Sequence, residues 1–282
     1  MYCLICDITP QSYEKAQAVL YAMDMLGCEE QQINGHIRLK CYFSSTFALH
    51  SAEFHLMGLN PCGPIHISSV LDQDWNEKWK KSIKPIEIFK NIWVSPSWLM
   101  PPKNQYKTWI KIEPKTAFGT GHHESTRLAC KALINTIRQF NYKPNVLDIG
   151  TGTGILCFVA DKIGVHKSIG IDIDPSCLSN ITENKRKNPS SSSLSFIIGT
   201  IDSIKKDNFF DIIVMNMIYS EGYPLCKQIS KLIRLNGTLI WSGILLEEKN
   251  QIITELNNIN FILKKDFKEN EWWCGVFQKE NQ

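Results

Sequence analysis

Hydrophobic and polar positions follow two different patterns along this chain, and the change of pattern divides it. In the first seventy residues, short alternating runs flank segments of helical spacing. YCLICDI (2–8) reads as a strand, and SYEKAQAVLYAMDML (12–26) has apolar residues at helical intervals, with Gly27 as its stop. EEQQI and HIRLKCYF flank Asn34-Gly35, a two-residue hairpin signal. TFALHSAEFHLMG (46–58) predicts a second helix closed by Gly58, and PIHISSV (64–70) a last strand.

The order strand, helix, strand, strand, helix, strand over 1–70 predicts a small ferredoxin-like α+β sandwich. DQDWNEKWKKSIKP follows, with Trp75 and Trp79 on one helical face and charge elsewhere, which predicts a linker helix over 71–84 ended by Pro85. IEIFKNIWVSPSW and QYKTWIKIEP are two β-like runs separated by the breaker MPPKN. From Thr116 onward apolar strands alternate with amphipathic helices. The strands are NVLDIG, SIGIDI, LSFIIG, DIIVMN and GTLIWSG; the helices fall near 123–140, 154–164, 175–187, 219–234 and 247–259. Continuously apolar strands such as DIIVM are expected where both sheet faces are covered. The fold class is therefore α/β, a doubly wound Rossmann-like domain over 85–282, preceded by the small α+β domain. FILKKDFKENEWWCGVFQK adds two strands around a charged turn, so one edge of the sheet is expected to be antiparallel.

Composition narrows the class further. The 282 residues suit two domains, and 43% hydrophobic with 21% charged residues gives enough apolar material for packed cores. The net charge of +3 is too small for a nucleic-acid-coating surface, so no direct nucleic-acid binding is expected. Residues 1–70 hold 3 basic and 6 acidic groups, which makes the small domain the acidic part. No apolar run approaches the ~20 residues of a membrane span. MYCLICDITP has no cationic stretch, so a cytoplasmic location and reduced thiols are expected for the ten cysteines. Cys3 and Cys6 have redox spacing, yet residues three apart on a strand point to opposite faces, so no redox pair is expected. His122-His123-Glu124 has no companion cluster and is not expected to hold a metal.

The chemistry concentrates in VLDIGTGTGIL (146–156), where an apolar strand runs into Gly150, Gly152 and Gly154 and then a helix. Glycine there allows a tight turn and a close approach by a ligand. Asp172 ends the next strand, 22 residues beyond Gly150, where a carboxylate can accept both hydroxyls of a bound ribose. A dinucleotide loop needs G-x-G-x-x-G, but its last position falls on Ile155 or Cys157, which disfavours a nicotinamide-dependent oxidoreductase. The pattern present, D-x-G-x-G-x-G, resembles the loop of the S-adenosylmethionine methyltransferases.

Further segments narrow that resemblance. TAFGTGHHESTR (116–127), IGIDIDP (169–175), NMIYSE (216–221) and SGIL (242–245) are similar to the ribosomal protein L11 methyltransferases of the PrmA type, as is the WNEKW…WVSPSW stretch (75–98). Specific motifs cover residues 72–246, while the first seventy residues match in element order alone. The resemblance implies S-adenosyl-L-methionine as cofactor and ribosomal protein L11 as substrate, methylated on lysines and its α-amino group. It further implies that the N-terminal domain grips the protein substrate, and a monomer is expected. Carried over by motif, the cofactor-contacting positions are Thr126, Gly150, Asp172 and Asn216. Gly152 belongs to the same loop, and Asp148 is expected to order that loop by accepting its amides. Thr126, in the first turn of a helix, is expected to offer its hydroxyl and free amides to the cofactor's carboxylate. Asn216 lies nearest the chemistry: with carbonyls from 216–218 it would accept the hydrogens of the acceptor amine and aim its lone pair. Tyr219 stands where the family has a small residue, which suggests a pocket-lining role facing the sulfonium. Another protein lysine or a small amine as acceptor, and a non-catalytic cofactor sensor or assembly factor, remain as alternatives; the full set Thr126, Gly150, Asp172, Asn216 speaks against the latter.

Overall fold

The computed structural model describes residues 2–23, 25–33, 35–69, 83–103, 106–115, 117–190 and 193–281. The chain divides into two compact units, Met1–Ser82 and Ile83–Gln282. The linker helix expected over 71–84 lies, apart from its last two positions, outside the described residues.

The first unit runs β1 (Tyr2–Ile8), α1 (Tyr13–Ala22), β2 (Met25–Ile33), β3 (His36–Phe43), α2 (Thr46–Met57) and β4 (His66–Ser69). Its sheet has the order β2-β3-β1-β4, antiparallel throughout, as the alternating pattern required. Leu4, Cys6 and Ile8 of β1 and Leu39, Cys41 and Phe43 of β3 meet Leu49, Ala52 and Leu56 of α2 in one core. Cys3 is buried outside that core, so the two sulfurs diverge as strand geometry dictates. Helix α1 is shorter than its spacing suggested. The segment from Met25 pairs with β3, with a bulge between Met25 and Gly27, so Gly27 sits in a strand and stops no helix. Pairing along the whole of β3 outweighs the weak local helical preference.

In the second unit β5 (Ile86–Phe89), β6 (Ile92–Ser95) and β7 (Thr108–Lys111) form a separate three-stranded sheet. There follow α3 (Glu124–Ile137), β8 (Asn145–Ile149), α4 (Ile155–Ile163), β9 (Lys167–Asp172), α5 (Cys177–Lys187), β10 (Ser193–Ile198) and β11 (Phe210–Asn216). The remainder is α6 (Tyr219–Gly222), α7 (Cys226–Leu232), β12 (Ile233–Leu245), α8 (Lys249–Asn257), β13 (Phe261–Glu269) and β14 (Trp272–Lys279). The expected continuous helix near 219–234 is instead two helices joined by a 3-10 turn at Tyr223–Leu225; Pro224 there cannot supply a helical N–H.

The large sheet has the order β10-β9-β8-β11-β12-β14-β13. Its first five strands are parallel, and β14 and β13 form the expected antiparallel edge. Both faces are covered. On β11, Ile212 and Val214 enter the core beneath α3 and α4, while Ile213 and Met215 enter the one beneath α7 and α8. That double burial explains the unbroken apolar run. Ile92 and Val94 of β6 and Ile110 of β7 share the first of these cores, so the small sheet is packed against α3 and α4. Strand order reverses between β8 and β11, which opens a crevice at their carboxyl ends, where open α/β sheets bind ligands.

Candidate functional site

The glycine loop leaves β8 at that crevice. Gly150, Gly152 and Gly154 have φ of +71°, +52° and +83°, in the left-handed region that favours glycine. The Gly150 and Thr151 amides both donate to the Ile171 carbonyl of β9, at 2.9 and 3.0 Å. The Gly152 amide donates to Oδ2 of Asp172 at 2.8 Å, and the Asp174 amide to its Oδ1 at 3.0 Å. The Asp172 carboxylate is thereby fixed beside the loop by two backbone donors.

Segment 117–121 lies over the loop. The Phe118 carbonyl accepts the Thr153 amide at 3.0 Å, and the Gly119 carbonyl accepts the Thr153 hydroxyl. A Cβ on Gly152 would stand 2.4 Å from that Phe118 oxygen, so a side chain is excluded there. The segment leads into α3, whose N-cap is His123: its Nδ1 accepts the Ser125 amide at 3.2 Å.

Thr126, buried in the first turn of α3, accepts from Nδ2 of Asn216 at 3.3 Å. Its own amide donates to the His123 carbonyl at 3.1 Å, so the free amide expected there is already used and the hydroxyl is what it offers. Asn216 ends β11 in register with Ser242 of β12. The Met217 amide donates to the Ser242 carbonyl at 3.0 Å, and the Ser242 hydroxyl to the Ser125 carbonyl at 2.7 Å. Gly243 permits this closeness, since a Cβ there would lie 2.9 Å from both Asn216 Oδ1 and the Met217 nitrogen. The Met217 side chain reaches back to within 3.4 Å of the Cβ position of Gly150. Asn216 Oδ1 is buried with no partner.

Asp148 is wholly buried in β8. Its Oδ2 accepts the Thr151 hydroxyl at 2.6 Å and the Cys157 thiol at 3.7 Å, while Oδ1 has no partner. Asp148 therefore orders the loop through a side-chain hydroxyl; the backbone amides expected to reach it go to Ile171 instead. Burial, opposed by the Thr151 hydrogen bond, raises its pKa to about 7.

The structure thus brings all six sequence-predicted positions to one end of the sheet: Gly150, Gly152 and Asp172 around the loop, Asp148 beneath it, Thr126 and Asn216 beside it. Sequence reasoning gave no role to Ser242, Gly243 or Phe118, for which the SGIL and AFGTG motifs were the available signal; of Met217 it expected a backbone carbonyl open to the amine, and that carbonyl instead accepts the Trp241 indole N–H. The Tyr219 hydroxyl is bonded to both Glu255 oxygens of α8 at 2.8 Å. The His123 Nδ1 is used in capping, and no cluster of metal-ligating side chains occurs among the described residues.

A seven-stranded sheet with a reversed edge hairpin, a glycine loop at the strand-order reversal and a carboxylate ending the neighbouring strand define the methyltransferase class. The chain matches the family "Ribosomal protein L11 methyltransferase (PrmA)" over residues 6–280. It is 32% identical over 214 residues to a Clostridium perfringens protein named ribosomal protein L11 methyltransferase, covering 76% of this chain and 67% of that one. A Pelobacter propionicus protein of the same name is 28% identical over 272 residues, 91% of this chain and 86% of the relative. Among solved structures, a ribosomal protein L11 methylase from Lactobacillus delbrueckii subsp. bulgaricus shares the fold with a TM-score of 0.63 at 23% identity, covering 71% of this chain and all of that one. This chain belongs to the ribosomal protein L11 methyltransferase family.

Proposed function

We propose that this enzyme transfers methyl groups from S-adenosyl-L-methionine to amines of ribosomal protein L11, at lysine side chains and the N-terminal α-amino group. The observation that carries the reading is the buried, unpartnered Oδ1 of Asn216, held by Thr126 beside the glycine loop. A buried acceptor without a donor is costly, about 1–3 kcal/mol, unless a ligand supplies the donor.

The residues fit the cofactor. The positive-φ loop lets a nucleoside approach its backbone, and Asp172, fixed by two amides, keeps lone pairs for the ribose hydroxyls. Thr126 and the unpartnered Asp148 Oδ1 are the polar groups available to the amino-acid end. When bound, the cofactor supplies a methyl carbon activated by the adjoining sulfonium. The chain's own task is then alignment. An asparagine cannot take up a proton, so the acceptor must enter neutral. An α-amino group, pKa about 8, is partly so at pH 7, whereas lysine, about 10.4, must first be desolvated.

The first unit is the substrate-binding part in this reading. Its support is the face of α2 that carries Phe47, Phe54 and Met57, exposed by 82%, 75% and 55%, on an acidic domain suited to a basic protein. No described helix is long and apolar enough to cross a membrane. The protein works in this reading as a cytoplasmic monomer, without direct contact with nucleic acid.

The test is the intact mass of ribosomal protein L11 after incubation with the enzyme and S-adenosylmethionine, alongside Asn216→Ala. Mass steps of one methylene with the wild type and none with the variant are expected. No step with either, while S-adenosylhomocysteine still binds, would reject L11 as substrate and favour another lysine or a small amine.

A further inference from the structure

The chain leaves β11 in a fixed shape, and the residue that fixes it comes from the next strand. Trp241 of β12 is wholly buried, and its indole Nε1–H donates to the Met217 carbonyl at 3.0 Å. The Met217 amide donates to the carbonyl of the residue after Trp241, Ser242, at 3.0 Å. Both polar backbone groups next to Asn216 are therefore held by consecutive residues of one strand.

The indole is itself held in place. Its plane lies 10° from that of Tyr219, with ring centroids 6.4 Å apart, and Tyr219 stacks in turn on Tyr223 at 5.5 Å. The Tyr219 hydroxyl is tied to Glu255 and also accepts from Gln251 Nε2 at 2.8 Å, so α8 anchors the stack. Gly222 leaves no slack around the ring: a Cβ there would lie 2.6 Å from Cζ2 of the indole. A tryptophan confined in this way has one direction in which to point its N–H.

We propose that Trp241 is a positioning residue for the methyl-acceptor amine, aiming the Asn216–Met217 segment so that Asn216 Oδ1 is the acceptor left open. Of the oxygens just after β11, the Met217 carbonyl already has a donor, while Asn216 Oδ1 is buried and has none. An incoming amine thus meets one unsatisfied acceptor, whose place depends on the Trp241 hydrogen bond. Tyr219 acts here through the stack, from the Glu255 side, and the expectation that it faces the sulfonium is replaced by this anchoring role. The inference rests on the amine-methyltransferase reading.

The test replaces Trp241 in two ways. Trp241→Phe removes the N–H but leaves space. The benzothienyl analogue of tryptophan, incorporated at 241, keeps the shape and puts sulfur where the N–H was. Single-turnover methylation of L11, the Kd of S-adenosylhomocysteine and Tm are measured on both. Loss of one aligning hydrogen bond should slow methyl transfer about tenfold at saturating substrates in both variants. The S-adenosylhomocysteine Kd should stay within twofold of wild type, and the analogue should lower Tm by no more than about 2–4 °C, the cost of one lost hydrogen bond. A wild-type rate for the analogue would overturn the proposal, as would a Kd that weakens in step with the rate, since Trp241 would then be a general prop. A wild-type enzyme inactive on L11 and on lysine peptides would reject the underlying reading instead, so the two failures are distinct.

Discussion

Gly152→Ala is the sharpest probe of how the glycine loop is built. The new Cβ would stand 2.4 Å from the Phe118 carbonyl oxygen, a backbone atom that cannot rotate aside. Restoring ordinary contact requires one of the two segments to move by roughly 1 Å, and packed interiors resist such shifts. The movement breaks the Phe118 carbonyl's bond from the Thr153 amide, a net loss of about 1 kcal/mol. Holding an alanine at φ +52° adds about 1–2 kcal/mol. Together these come to about 2–3 kcal/mol, which in a unit of this size lowers Tm by roughly 4–12 °C. The Gly152 amide also donates to Asp172, so the affinity for S-adenosylhomocysteine should fall at least about tenfold. Calorimetric Tm and titration with that ligand read both quantities. Gly164→Ala is the control. It lies at φ +109° at the far end of α4 with open space around its Cβ position, so it should lower Tm through strain and leave the affinity unchanged. A Gly152→Ala protein with Tm within 1 °C and affinity within twofold of wild type would refute the claim that segment 117–121 clamps the loop.

Two further outcomes follow from the buried polar groups. Because burial raises the folded-state pKa of Asp148 to about 7, above its unfolded value, the folded form is favoured with the carboxyl protonated. Its contribution is therefore present at low pH and is lost as pH rises from about 4 to about 7, so Asp148→Asn should flatten that part of a Tm-against-pH curve; an unchanged slope would contradict the assignment. Thr126→Val keeps the shape of the side chain and removes the oxygen that accepts Asn216 Nδ2. A stability loss of about 1 kcal/mol and a larger proportional loss of methylation rate are expected by denaturant titration and kinetics, and equal small effects on both would reduce Thr126 to packing.

Local features were the ones legible in the sequence. The glycine loop, Asp172 and the alternation of strands and helices announce themselves within windows of about 30 residues, because each rests on backbone conformation or on burial of both sheet faces. Less legible were contacts between distant segments. Nothing in AFGTG says that its second carbonyl will meet Gly152, and nothing in GTLIWSG says that Trp241 will donate to Met217. The Asp148 expectation chose the right group and the wrong donors, since the choice between loop amides and the Thr151 hydroxyl depends on Ile171 of the next strand. Helix α1 was overextended because Met25–Ile33 owes its strand state to β3.

The small sheet β5–β7 bears on where a working catalytic piece can begin. The motifs that build the cofactor loop and its surroundings all lie after residue 115, which invites cutting there. Yet Ile88, Ile92, Val94 and Ile110 share a core with Leu128, Leu133 and Val159, and the Val94 side chain lies 3.4 Å from the Cβ position of Gly121 in the segment over the loop. A fragment starting at residue 116 would uncover the apolar backs of α3 and α4 and unseat that segment together with them. The thirty residues that look least like a catalytic domain are thus its keystone, and the shortest soluble, cofactor-binding fragment should begin near Ile83.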